Sequence, residues 1–174
     1  MDDQIPLPPD DAKSDGQNTD TLSTNENIMG FALLRCSEAL YGIDIKWVRE
    51  FRPSAIVTPV FGMSPFWVGI TALRGNLYSV LDLEQFLFSG MSSAEKQNQV
   101  VFTAVNDLNI GLLVEEMEVI RQIDHQSITT VPSASAKYIL GRTPDHITIL
   151  DLPILFADPR LKIFEDQPAN QMDV

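Results

Sequence analysis

The sequence predicts a mainly β protein built from two related lobes. Three observations carry this: short apolar segments bounded by turn residues, an internal repeat at an offset of 69 residues, and helix signals confined to fragments of a turn or two. In the repeat, Leu81-Asp82-Leu83-Glu84-Gln85-Phe86-Leu87 returns as Leu150-Asp151-Leu152-Pro153-Ile154-Leu155-Phe156. In the same register Gly42 falls on Gly111, Phe31–Arg35 on Val100–Ala104, and Asn76 on Asp145. Three aligned features in one register define two lobes, 28–88 and 99–157, with the short polar stretch 89–98 as their connector.

Taken in order, Phe31–Cys36 and Leu40–Ile45 form a hairpin across Ser37-Glu38-Ala39. A helical turn follows near Lys46–Arg49. Ile70–Arg74 and Leu77–Leu83 flank Gly75-Asn76, a pair that tolerates the positive φ of a two-residue turn. Glu84–Phe88 reads as a short helix. In the second lobe Val100–Val105 and Ile110–Glu115 flank a turn at Asn106–Asn109, Met117–Ile123 and His146–Leu152 read as strands, and Pro153–Phe156 as a last helical turn. Asp82 and Asp151 hold equivalent places ahead of the two helices, which assigns them a repeated role as helix caps. A lobe of about 60 residues buries only about 60% of its unfolded surface. The two are therefore expected to pack together, with room to exchange first or last strands.

Outside the lobes the composition changes. Residues 1–27 hold seven acids against Lys13 alone, so they supply −6 of the net charge of −12, with Pro6, Pro8 and Pro9 and few large apolar residues. Such a segment buries too little surface to offset its ordering entropy and reads as a disordered, solubilising tail, with a partner-binding arm as the sharper alternative. Residues 158–174 read as a C-terminal tail, with Leu161, Ile163 and Phe164 as candidates to dock.

The composition also excludes function classes. A net charge of −12 on 174 residues repels phosphate backbones and anionic lipid, which argues against nucleic acid and membrane surfaces as partners. No apolar stretch approaches the ~20 residues of a membrane helix, and no secretory signal opens the chain. Cys36 stands alone, so no intrachain disulfide forms, in keeping with a reducing cytoplasm.

Chemistry is thin. His125 lies in a polar turn and His146 in an alternating segment, neither at metal-ligand spacing from a second histidine or the cysteine. Glu115-Glu116-Met117-Glu118 lacks the loop and central glycine of a calcium site and reads as the solvated rim of a strand pair. Gly62-Met63-Ser64-Pro65 lacks the final glycine of a nucleophile elbow, and Gly69–Gly75 has the wrong spacing for a phosphate loop. No catalytic, metal or cofactor-binding residue is assigned.

At Tyr41-Gly42-Ile43-Asp44-Ile45-Lys46-Trp47-Val48-Arg49-Glu50 the chain resembles the CheW-like family of chemotaxis coupling proteins. The likeness continues at Gly69–Leu83, through Leu73-Arg74-Gly75 and the closing Leu81-Asp82-Leu83, and resumes at Val101–Val105, Ile110–Ile120 and Tyr138–Phe156. It implies two five-stranded, SH3-like β-barrel lobes packed around a groove, with short helical turns. It also implies a cytoplasmic, non-catalytic adaptor with no cofactor. That adaptor couples the cytoplasmic tip of chemoreceptors to the regulatory domain of a CheA-type histidine kinase. Carried over residue by residue, the resemblance marks Val48, Glu50, Arg74 and Gly75 as partner-binding. Two departures stand out: Tyr78-Ser79 where the family often has proline, and Arg142–His146 where a glycine-rich turn is common. The Asn76–Val80 wording is similar to the branch serving type IV pilus (twitching motility) arrays.

Plainer readings stand beside these. Val48, beside Ile45 and Phe51, fits a packing role as well as a contact role. Trp47 and Trp67 are packing residues unless exposed. Gly75 answers a need for backbone angles. Arg74, ending an apolar strand, needs water or an acidic partner such as Glu50. The competing class is a small-ligand-binding or enzymatic β-barrel domain that uses the inter-lobe groove.

Overall fold

The computed structural model describes residues 27–88, 99–132 and 137–162. The expectations for residues 1–26, for the connector 89–98 and for Ile163 and Phe164 lie outside these. Ten strands and two short helices follow in chain order: β1 Ile28–Cys36, β2 Ala39–Asp44, β3 Val48–Arg52, β4 Trp67–Leu73, β5 Asn76–Asp82, α1 Leu83–Phe88, β6 Gln99–Val105, β7 Leu108–Val114, β8 Glu116–Asp124, β9 Ile139–Arg142, β10 Thr148–Leu150 and α2 Leu152–Phe156. Five strands and a helix thus occur twice in one order, as the 69-residue offset predicts. The capping reading holds: Asp82 Oδ1 accepts from the Gln85 amide at 2.9 Å, and Asp151 Oδ1 from the Ile154 amide at 3.0 Å.

The strands form two five-stranded sheets, ordered β8-β1-β2-β10-β9 and β3-β6-β7-β5-β4. The two halves of the chain are therefore not the two sheets. Each half lends its opening hairpin to the sheet completed by the last three strands of the other. Parallel pairings make the junctions: Ile149 lies opposite Gly42 between β10 and β2, and Val80 opposite Gly111 between β5 and β7. Those glycines are needed for space. A Cβ on Gly42 would lie 2.6 Å from Ile149 Cδ1, and one on Gly111 2.8 Å from Val100 Cγ1.

Three apolar cores result. Phe31, Leu33, Ile123, Ile147 and Ile149 fill the first sheet's own core, and Leu73, Tyr78, Val80, Val100 and Phe102 the second's. Between the sheets lies a larger shared core that includes Leu34, Ile43, Leu81, Leu112, Leu150 and Leu155. At its margin sits a polar clasp. Asp158, 3% exposed, accepts from the Arg160 amide at 2.7 Å, from Lys137 Nζ at 3.1 Å and from the Tyr138 hydroxyl. The Arg160 guanidinium lies 4.2 Å from the centre of the Phe86 ring, and Phe86 meets Phe66 edge-on at 5.3 Å. Leu161 docks, at 7% exposure.

Three local expectations are corrected. The turn joining β4 and β5 is Arg74-Gly75, not Gly75-Asn76: both carry positive φ, 50° and 84°, and Leu73 pairs with Asn76. Moving the turn by one residue moves the pairing by two and leaves every buried side chain on its face. The alternation was therefore silent, and glycine's preference for the second place of a type I′ turn decided. Arg49 belongs to β3 rather than to a helical turn, which is a 3₁₀ turn over Ile45–Trp47 capped by Asp44. His146 lies in the turn before β10, with φ 67° and its amide donating to the Thr143 carbonyl at 3.0 Å.

Candidate functional site

Of the four residues singled out, the fold brings Glu50 and Arg74 together. β3 pairs with β6 through Val48 opposite Thr103 and Glu50 opposite Phe102, so Arg49 is the extra residue of a β-bulge. The bulge lies at the point where the strand presents Glu50 to the Arg74-Gly75 turn. Arg74 Nη2 stands 2.7 Å from Glu50 Oε2, and Arg52 Nε donates to Glu50 Oε1 at 2.9 Å. The Arg52 hydrogen bond and then the Arg74 charge, opposed by burial, hold the Glu50 carboxyl below its ordinary value of 4.5.

The surroundings form a shallow hollow of about 360 Å³ lined by Arg49, Glu50, Leu73, Arg74, Tyr78 and Asn109, among others. Arg74 keeps the left-handed conformation that costs a non-glycine residue ~1 kcal/mol, and its side chain is 79% exposed. Gly75 has nothing within 4 Å of where a Cβ would stand, so only its φ requires glycine. Val48 does not join the hollow. It is half-buried against the shared core, the packing role weighed above. Trp67 is buried, and Trp47 is half-buried with Lys46 Nζ 5.1 Å from its ring centre.

Sequence reasoning missed Arg49 and Arg52. Their signal was the run of charge in Val48-Arg49-Glu50-Phe51-Arg52, whose strand period is broken by the adjacent charges of Arg49 and Glu50 at the bulge. It also missed the segment between β3 and β4. Thr58 there exchanges both backbone hydrogen bonds with Ile70, while Ile56 and Phe61 stand 91% and 95% exposed. Among the described residues no group of three or more His, Cys, Asp or Glu is placed to hold a metal, and no helix is long and apolar enough to cross a membrane. Burial pushes the Tyr41 phenol up to about 12, so it stays protonated at neutral pH.

The family model of CheW-like domains matches residues 30–160. The chain belongs to the CheW-like family. It is 21% identical over 152 residues to a chemotaxis protein CheW of Treponema pallidum (strain Nichols), covering 81% of this chain and 89% of that protein. With a chemotaxis protein CheW of Bacillus subtilis (strain 168) it shares 24% identity over 97 residues, 56% of this chain and 62% of that one. Among solved structures it is similar to the scaffolding protein TtCheW from Thermoanaerobacter tengcongensis, at 26% identity and a TM-score of 0.67, covering 76% of this chain and 94% of that one. The CheW-like architecture of two five-stranded, SH3-like lobes is thereby in place, with the Glu50–Arg74 pair on the sheet that contains β3–β7.

Proposed function

We propose that this chain is a cytoplasmic, non-catalytic adaptor that couples chemoreceptors to a CheA-type histidine kinase, and that it docks a partner through the face formed by Glu50, Arg74 and Gly75. The match to CheW-like domains over residues 30–160 carries the adaptor role, and its similarity to a scaffolding protein supports the absence of turnover. The ion pair at 2.7 Å between a bulged strand and a strained hairpin tip supports the site. Among proteins of this family the Asn76–Val80 wording favours a twitching-motility array, which the genes flanking this one would test.

The decisive experiment mixes the purified chain with a CheA-type regulatory domain and a chemoreceptor cytoplasmic fragment from its own organism. Binding to both is expected, and binding to neither refutes the adaptor reading. Arg74→Ala should weaken one of the two at least tenfold, as truncation of a central interface arginine commonly does, while the melting curve stays nearly unchanged. An unfolded Arg74→Ala chain would make the arginine structural and refute the site.

A further inference from the structure

The docking face carries more positive charge than its ion pair uses. The protein as a whole is at −12, yet here two arginines, Arg52 and Arg74, pair with a single carboxylate, Glu50. Arg49 adds a further positive charge to the lining of the hollow, whose residues besides Arg49, Glu50 and Arg74 are uncharged. The two arginines that touch Glu50 hold it differently. Arg52 makes an aligned hydrogen bond to Oε1 at 2.9 Å. Arg74 approaches Oε2 at 2.7 Å, but Oε2 is sealed from solvent and receives no aligned hydrogen bond. Arg74 therefore acts on Glu50 chiefly through charge. Its side chain is 79% exposed against 44% for Arg52, so most of its five N–H donors face water.

Resting on the adaptor reading, we propose that Arg74 is a detachable docking arm that captures an aspartate or glutamate side chain of the protein partner, while Arg52 stays behind as the positioning residue that keeps Glu50 neutralised. A planar guanidinium grips a carboxylate through two parallel hydrogen bonds. Releasing Glu50 to make that grip leaves no buried carboxylate unpaired, because the Arg52 bond persists. A cationic partner group is disfavoured here. It would have to reach an Oε2 sealed beneath Arg74, against the excess charge of the arginines.

The test uses the full-length chain and, as probes, the kinase regulatory domain and receptor fragment named above, with affinities from calorimetry and a melting curve for each variant. Arg74→Lys, which keeps the charge and loses the fork, should bind about tenfold more weakly, and Arg74→Glu at least a hundredfold. A single Asp→Arg or Glu→Arg change on the partner should restore the Arg74→Glu chain to within about fivefold of wild type. Arg52→Gln should weaken binding severalfold, because Glu50 then retains Arg74, and adding Glu50→Gln should recover it. A direct Arg52 contact to the partner predicts no such recovery. Wild-type binding to neither probe sinks the adaptor reading and this inference with it. Binding that survives Arg74→Glu, or that no acidic-to-basic change on the partner restores, overturns the inference and leaves the adaptor reading standing.

Discussion

Truncating Leu81 tests whether the two sheets form one folding unit. Leu81 is fully buried in the shared core on β5, which is hydrogen-bonded on both sides, to β4 through Trp67 and to β7 through Leu112. Leu81→Ala removes three carbons, worth about 0.8 kcal/mol each in transfer alone, or ~2.4 kcal/mol. A strand held on both sides moves little to close the gap, so a cavity penalty adds to this and places the loss at about 3–4 kcal/mol, within the usual 2–5 kcal/mol for such changes. At about 3–5 °C per kcal/mol for a body of this size, melting should fall by roughly 10–15 °C. The assay is thermal and urea unfolding followed by far- and near-ultraviolet dichroism, with amide exchange read separately on β1–β2 and β4–β5. Because each sheet needs strands from both halves, both sets of amides should lose protection together, in one transition. A loss below 1 kcal/mol, or a variant in which β4–β5 opens while β1–β2 stays protected, refutes the reasoning.

Other perturbations probe single features. Burial alone would raise the Asp158 carboxyl, but the Arg160 amide and the Lys137 and Arg160 side chains outweigh it and hold it below 3.8. Its contribution is therefore complete above the ordinary aspartate range and lost as pH falls through the lower folded value. Asp158→Asn should flatten that acid limb of stability, and an unchanged limb in urea titrations would count against the clasp. Gly75→Ala meets no atom but must hold φ 84°, so it should cost ~1 kcal/mol in melting, and Gly75→Asn less. Gly69→Ala would put a Cβ 2.1 Å from the Thr58 carbonyl oxygen, so limited proteolysis should find new cleavage between residues 53 and 66. An uncut Gly69→Ala chain would show that the segment adjusts.

Much of this fold was legible because the chain states its pattern twice. Leu-Asp-Leu before each helix and a glycine at each parallel junction set the register between the halves, and the element order followed. An exchange of first or last strands was left open by the small size of each half, but which strands exchange was not legible. Buried alternation records which face of a strand is covered but not which neighbour covers it, so Val80 opposite Gly111 and Ile149 opposite Gly42 are facts of pairing alone. The Arg74-Gly75 turn escaped for the same reason, both candidate turns burying one set of side chains. Glu50 and Arg74 were found through a family likeness, and their meeting was an inference from a shared lobe. Arg49 and Arg52 were missed because a one-residue bulge disguises a strand's period.

The repeat also shows where to look for what distinguishes the two lobes. Positions that pack agree across the 69-residue offset: Phe31, Leu33, Ile147 and Ile149 answer to Val100, Phe102, Tyr78 and Val80, all buried. Positions on the outer strand agree only in part. Glu50 and Arg52 of β3 answer to Val119 and Arg121 of β8, and Arg74 answers to Thr143. The second lobe has its own ion pair between the same elements, Arg121 of β8 with Asp145 of the β9–β10 turn, with the charges exchanged and each partner two residues further along. Val119 and Ile120, beside Arg121, are about half exposed. Packing needs the same residue types in both copies, since both fill the same kind of core. A docking site does not, so the outer strands are free to diverge. The pair at Glu50 and Arg74 is such a divergence in the sign and place of its charges, while the bulge beneath it is shared: β8 repeats it with Glu118 as the extra residue between Met117 and Val119. The packing of the two cores does not set which charge stands on the outer strand and which on the turn, so that choice is free to differ between the lobes.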